Sequence, residues 1–86
     1  MFIHLGEDYT IFLDKVIAVI NIEGPLDRSV KDIIDLAQVE KKLVRIGDQG
    51  REKSLVITDD QVYLSPISSL TLFRRGHNLA GGGHSI

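Results

Sequence analysis

The chain has 86 residues, of which 43% are hydrophobic and 26% charged, with a formal net charge of −2 and no cysteine. A chain this short forms at most one domain, and its own hydrophobic core is small. The lack of cysteine excludes disulfides and thiolate metal sites, and the slightly acidic balance argues against a strongly basic, non-specific nucleic-acid binder. No apolar run approaches the ~18 residues of a membrane span. We therefore expect a cytoplasmic protein without a signal peptide or a membrane contact.

The first residues predict three strands. FIHL at 2–5 and YTIFL at 9–13 are short apolar runs that favour strands, and GED at 6–8 between them is typical of a hairpin turn. VIAVINI at 16–22 is β-branched and places apolar residues on both faces of a strand. Because both faces then need cover, we expect this strand to be central in the sheet.

An amphipathic helix is predicted next, within residues 26–42. Asp27 lies near its start, and Lys41 and Lys42 lie near its end, where each charge favours the helix dipole. Asp27 and Lys31 are spaced to form an i,i+4 ion pair. The apolar residues at helical spacing are Leu26, Val30, Ile33, Ile34 and Ala37.

The second half predicts three more strands. LVRI at 43–46 is one, and LVIT at 55–58 and VYLS at 62–65 form a hairpin across the turn at 59–61. The acidic pair in that turn, Asp59-Asp60, is typical of turn chemistry.

A short C-terminal helix is predicted at 67–76, capped by Ser68 or Ser69, with Leu72 and Phe73 packing inward. Residues 1–76 then form one domain, and residues 77–86 form a flexible glycine-rich tail. The expected architecture is a small α+β domain. Its mainly antiparallel sheet of five or six short strands is covered by one central amphipathic helix and the short C-terminal helix, with an exposed edge.

The loop GDQGREK at 47–53 carries two glycines and two cations just before a strand. The glycines indicate a turn with positive φ. If the strand begins by Arg51, then Arg51 and Lys53 face one side and Glu52 the other, and a guanidinium there suits a phosphate. A solvated loop with ordinary surface charge fits the same spacing. GDQG lacks the pattern of a phosphate-binding glycine loop, so a nucleotide sensor is the weakest of the alternatives.

Catalytic and metal-binding patterns are not found in the sequence. No serine lies in a strand-to-helix elbow with flanking glycines, and His4, His77 and His84 match no metal-ligand spacing. We expect neither an enzyme nor a metal or cofactor site.

The order of several segments resembles a known family. MFIHLG at the start, KVIAVI followed by a helix, a G-R loop before LVIT and the ending VYLSPISSLTL resemble the extracellular matrix regulatory proteins RemA and RemB of Gram-positive bacteria. The resemblance covers residues 1–76 and is closer to the RemB branch. It implies a LytTR-like protomer in a closed homo-oligomeric ring, acting as a cytoplasmic DNA-binding regulator of biofilm matrix genes.

The resemblance also implies DNA contacts from a G-R-R and an N-R-I stretch of the family. Here these correspond to Gly50-Arg51-Glu52 and Asp14-Lys15-Val16, so Arg51 matches, Lys15 keeps only the charge, and Glu52 reverses it. An acid beside Arg51 opposes a polyanion. Two readings stay open: a ring binding double-stranded DNA, or a ring whose acidic helix face and Glu52 recognise a protein partner. The predicted DNA-contacting residues are Lys15, Arg51 and Lys53, with Arg74 and Arg75 as additional candidates.

Overall fold

A computed structural model describes residues 1–81, with side chains for residues 1–76. The described part of the chain is an α+β fold, which confirms the predicted class. No helix in this part is both long enough and apolar enough to span a membrane. In chain order the elements are β1 (Phe2–Gly6), β2 (Tyr9–Phe12), a 3₁₀ turn (Leu13–Lys15), β3 (Val16–Asn21), α1 (Arg28–Val39), β4 (Leu43–Arg45), β5 (Ser54–Thr58), β6 (Val62–Ser65) and α2 (Ser69–Gly81).

The strands form two sheets, not the single sheet expected from the sequence. β1 and β2 form an antiparallel hairpin of their own, and the other four strands are ordered β3-β5-β6-β4, with β4 parallel to β6. The 3₁₀ turn at Leu13–Lys15 redirects the chain between β2 and β3. The hairpin therefore packs its inward residues onto the core and does not extend the larger sheet.

β3 lies at an edge of the four-stranded sheet, so the prediction of a central strand was wrong. Its only strand neighbour among the described residues is β5. The pairing of β3 with β5 shifts between Val16 and Ala18, so Ile17 lies at a bulge and is 67% exposed, whereas Val16 and Val19 pack against the core. The edge position therefore leaves Ile17 uncovered by the described residues.

The core lies between the β1–β2 hairpin, the larger sheet and α2. Leu72 of α2 is 1% exposed, as predicted, whereas Phe73 is 66% exposed, so its predicted inward packing was wrong. Successive helical residues are rotated by about 100°, and only one of this pair can face the core. The buried cluster consists of Ile3, Leu5, Ile46, Val56, Tyr63 and Leu72.

α1 is confirmed as an amphipathic helix with shorter bounds than the predicted 26–42. Asp27 is its N-cap residue; the Asp27 carbonyl accepts the Val30 and Lys31 N–H groups, and its side chain makes no capping hydrogen bond. The i,i+4 ion pair is Arg28–Asp32 at 3.8 Å, not the predicted Asp27–Lys31.

α2 spans Ser69–Gly81, so it begins two residues after the predicted residue 67 and ends five residues after the predicted residue 76. The Thr71 N–H donates to Ser68 Oγ at 3.2 Å, which confirms the predicted serine cap. The helix continues to Gly81, beyond residue 76, so it includes the first five residues of the predicted tail. Residues 82–86, with His84, lie outside the described residues, and the flexibility of the tail stays a prediction.

Candidate functional site

The loop at residues 47–53, which we call the basic arm, joins β4 to β5 and has a defined backbone. Gly47 and Gly50 have φ of +81° and +92°, which confirms the predicted turn geometry. The Arg51 N–H donates to the Asp48 carbonyl at 3.2 Å and closes the bend.

The C-terminal end of the basic arm is fixed to the sheet on both sides. The Lys53 N–H donates to the Ser65 carbonyl at 2.8 Å, and the Lys53 carbonyl accepts the Ile22 N–H at 3.1 Å. These bonds tie the arm to β6 and to the end of β3. Lys53 therefore has a fixed backbone position although its side chain is exposed.

Glu52 points back into the protein. Its side chain is only 15% exposed. One carboxylate oxygen accepts the Gly50 N–H at 3.0 Å, and the other accepts a hydrogen bond from the Arg45 guanidinium. Arg45 ends β4 and Glu52 precedes β5, so the ion pair crosses the end of β6, which lies between those strands. The acid expected to oppose an anion is thus neutralised within the fold.

β5 begins at Ser54, so the condition that the strand begins by Arg51 is not met. Arg51 and Lys53 are nevertheless exposed, and Glu52 between them is half-buried. Neither side chain makes a hydrogen bond or an ion pair with any residue that the structure describes. Two positive charges on one anchored backbone are therefore available to an anion from solution.

Lys15 lies at the opposite end of the larger sheet. Val16, next to it, pairs with Thr58, whereas the arm joins β5 at Ser54. At 3.2–3.4 Å per strand residue, Lys15 and Lys53 are separated by roughly 15–20 Å. Lys15 also forms an ion pair with Asp60, with Nζ 3.8 Å from Oδ2. One protomer does not bring Lys15 together with the basic arm.

The two C-terminal arginines differ in their surroundings. Arg75 donates from Nη1 to the His4 carbonyl at 3.0 Å, which ties α2 to β1, while Arg74 is exposed. His4 is exposed as well, and its Nε2 lies 2.7 Å from the Glu7 carbonyl oxygen. Arg75 thus has a role within the fold, and DNA contact by either arginine stays a prediction.

A shallow cavity of about 310 Å³ lies beside Lys15. The Tyr63 hydroxyl at its edge donates to Gln61 Oε1 at 2.9 Å. Burial raises the pKa of Tyr63, and the charge of Asp60 raises it further, so the phenol stays protonated at neutral pH. In the described part of the chain no group of three or more His, Asp or Glu residues is placed to hold a metal ion.

Sequence reasoning missed Arg45 and the ion pair that it forms with Glu52. Arg45 belongs to an ordinary three-residue strand, and Glu52 is seven positions away, so nothing in their spacing indicates a contact. The pair forms because β4 lies parallel to β6 at the far edge of the sheet. That pairing depends on the whole topology and has no local sequence signal.

Comparison with known proteins agrees with the predicted resemblance. Residues 2–75 match the family model described as RemA-like, Extracellular matrix regulatory protein A-like. The chain is also similar to Extracellular matrix regulatory protein B of Bacillus subtilis (strain 168), with 29% identity over 75 residues. That alignment covers 87% of this chain and 89% of the relative.

Proposed function

The chain belongs to the RemA-like family of extracellular matrix regulatory proteins, and we propose that it is a cytoplasmic, homo-oligomeric DNA-binding transcriptional regulator. The basic arm contacts the phosphate backbone of double-stranded DNA. The observation that carries this proposal is that Arg51 and Lys53 are exposed and unpaired within the described chain while Glu52 between them is neutralised by Arg45. The word regulatory in the names of the family and of the Bacillus subtilis relative supports the regulatory role.

The arm suits a phosphate for two physical reasons. A guanidinium offers a planar set of donors that fits two phosphate oxygens at once, and an ammonium adds a point charge. A backbone that is already fixed at Lys53 and bent at Gly50 loses little further entropy when it binds. Each neutralised phosphate also releases condensed counterions, which supplies most of the favourable free energy at low salt.

Lys15 provides a weaker second contact. Its ion pair with Asp60 is half-exposed on both sides, and such surface pairs are worth about 0–1 kcal/mol. A phosphate can therefore replace Asp60 at low cost. Lys15 and the arm lie at opposite ends of the sheet, so they touch separate phosphates. Arg74 is a further candidate, and Arg75 is a weaker one because it is already bonded to His4.

Self-association is supported by apolar surface that the described residues leave uncovered. β3 presents an edge without a strand partner, and such an edge is a template for assembly. In a ring, each weak phosphate contact repeats with every subunit, and the contacts gain by effective concentration. The exposed large apolar residues include Phe2, Phe12, Ile17, Leu36, Val39 and Leu70.

A protein-interaction module without direct DNA binding is the competing function. Its support is α1, which exposes Leu36 and Val39 beside the acidic residues Asp32 and Asp35. Glu52, the other acidic feature that such a module would use, is committed to Arg45 and Gly50. The acidic residues that remain on α1 support a protein partner less strongly than the unpaired cations of the basic arm support DNA binding.

Fluorescence anisotropy of a labelled DNA duplex at low salt tests the proposal with wild type, Arg51→Ala and Lys31→Ala. Lys31 is an exposed cation on α1, so its variant removes the same charge outside the arm. We expect Arg51→Ala to lower affinity at least about 10-fold and Lys31→Ala less than about 2-fold. Light scattering after size exclusion checks that the oligomer is intact. An intact oligomer with no DNA binding at low salt would contradict direct DNA regulation and favour a protein partner.

A further inference from the structure

We infer that Glu52 is a positioning residue that holds the basic arm in the conformation presenting Arg51, and not an acid that repels DNA. Its effect on DNA affinity rests on the function proposed above. Its effect on the conformation of the arm does not, so the two are tested separately.

The first argument is that the Glu52 carboxylate has two partners on different elements. Oε1 accepts the Gly50 N–H at the tip of the arm, and Oε2 accepts the guanidinium of Arg45 at the end of β4. The side chain thereby links the tip of the arm to the four-stranded sheet. The Glu52 side chain is 15% exposed and that of Arg45 is 39% exposed, so the carboxylate lies against the protein while the ion pair remains in partial contact with water.

The second argument is that the rest of the arm lacks such a link at its tip. Lys53 is fixed by backbone bonds to β6 and to the end of β3, and Gly47 packs near Pro66. Between them, the Arg51 N–H bond to Asp48 stays within the loop and does not reach the sheet. At Gly50 no atom lies within 4 Å of where a Cβ would be, so packing does not fix the tip. Glu52 supplies that connection.

The third argument concerns the sign of the charge effect. An acid next in sequence to a phosphate ligand would weaken anion binding if its charge were free. Here the Arg45 charge neutralises it, and the field of a neutralised pair falls off quickly with distance. Removing Glu52 therefore loses the order of the arm and gains little electrostatic attraction. Repulsion and positioning predict opposite changes in DNA affinity.

The structural half is tested by amide hydrogen exchange in wild type, Glu52→Ala and Glu52→Gln, without DNA. Glutamine keeps an oxygen that can accept the Gly50 N–H, whereas alanine does not. We expect the Gly50 amide to exchange about 10-fold faster in Glu52→Ala and to change less in Glu52→Gln. The core amide of Val56 reports whether each variant is folded. Unchanged Gly50 exchange in a folded Glu52→Ala would overturn the inference.

The functional half is tested by the anisotropy assay. We expect Glu52→Ala to lower DNA affinity about 5-fold although its net charge becomes less negative, and Glu52→Gln to stay within about 2-fold of wild type. Asp35→Ala, which removes an exposed acid on α1, is the control for the charge alone. Tighter binding by both Glu52 variants would show a repelling acid and overturn the inference. If neither the wild type nor any variant binds DNA, the proposed function is contradicted. The hydrogen-exchange result still tests whether Glu52 positions the arm.

Discussion

Each end of the four-stranded sheet carries cations near acids. The two ends differ in which cation is paired with the acid. At the arm end, Glu52 turns inward to Arg45 and leaves Arg51 and Lys53 without a partner among the described residues. At the other end, Lys15 is paired with Asp60. Sequence alone suggests the reverse, because Glu52 is adjacent to Arg51 while Asp60 is 45 positions from Lys15.

The difference shows that an acid opposes a cation by its place in the fold and not by its place in the sequence. In the fold, Glu52 turns inward to Arg45 while Arg51 and Lys53 stay exposed. The β5–β6 turn, in contrast, brings Asp60 over the 3₁₀ turn that carries Lys15. The arm end is therefore the stronger candidate for an anion.

The largest expected effect comes from removing both arm cations. Arg51→Ala combined with Lys53→Ala should lower DNA affinity roughly 100-fold, since two phosphate contacts would be lost in every subunit of the proposed oligomer. Lys15→Ala combined with Lys31→Ala removes the same charge elsewhere and should cost about 5-fold or less. Anisotropy at one fixed salt concentration measures both. Equal losses of DNA affinity in the two double variants would show that the two ends of the sheet do not differ in DNA binding.

A variant that disrupts self-association separates two contributions to DNA affinity: the charge of each subunit and the repetition of contacts in the proposed oligomer. Ile17→Gln introduces a neutral polar group on the surface of β3 at its bulge, and since Ile17 is 67% exposed the monomer should keep its stability within about 0.5 kcal/mol. We expect a smaller species in light scattering and a roughly 10-fold lower DNA affinity through lost avidity. Ile17→Val, which keeps the apolar surface, is the control. An unchanged oligomer in the glutamine variant would show that this face of β3 is not an interface.

Removing the charge of Asp60, the partner of Lys15, tests the comparison at the end of the sheet that is the weaker candidate for anion binding. Asp60→Asn removes the partner charge of Lys15 while keeping an oxygen that can accept the Thr58 hydroxyl. DNA affinity should rise about 2–3-fold, because a surface pair is worth at most about 1 kcal/mol. Asp59→Asn removes an equal charge next to it, without the ion pair, and should raise affinity less. Identical gains from the two variants would show that only net charge matters.

The smallest expected effect is on stability at high pH. Burial raises the pKa of Tyr63 above its ordinary value of 10.0, so the fold favours the protonated phenol. This contribution is complete below pH 10.0, the ordinary value that Tyr63 has when unfolded, and is lost as the pH rises through the folded pKa. Tyr63→Phe should therefore lose less thermal stability than wild type between about pH 8 and pH 10.5. Thermal unfolding at both pH values measures this, and equal losses would contradict it.

The sequence predicted most of the local structure because its signals are local. Hydrophobic periodicity identified α1, and short β-branched runs around turn residues identified both hairpins and β4. The exposure of Arg51 and Lys53 agrees with the alternation suggested by the sequence, although β5 begins only at Ser54.

Features that depend on tertiary contacts could not be predicted. Whether β3 lies at the centre or the edge depends on which strands pair with it, and its apolar faces fit both. The Arg45–Glu52 pair needs the parallel alignment of β4 with β6, which long-range topology alone creates. The inward side of α2 is set by packing on β1 and β3, so Leu72 and Phe73 could not be distinguished beforehand.

The central claim is that the basic arm neutralises DNA phosphates, and the slope of log affinity against log salt concentration tests it most directly. This slope counts phosphate contacts independently of absolute affinity. We predict a slope less steep in Arg51→Ala than in wild type by about 0.9 for each phosphate that Arg51 contacts, and no change in Lys31→Ala. Identical slopes for wild type and Arg51→Ala would contradict the claim, whatever the difference in affinity.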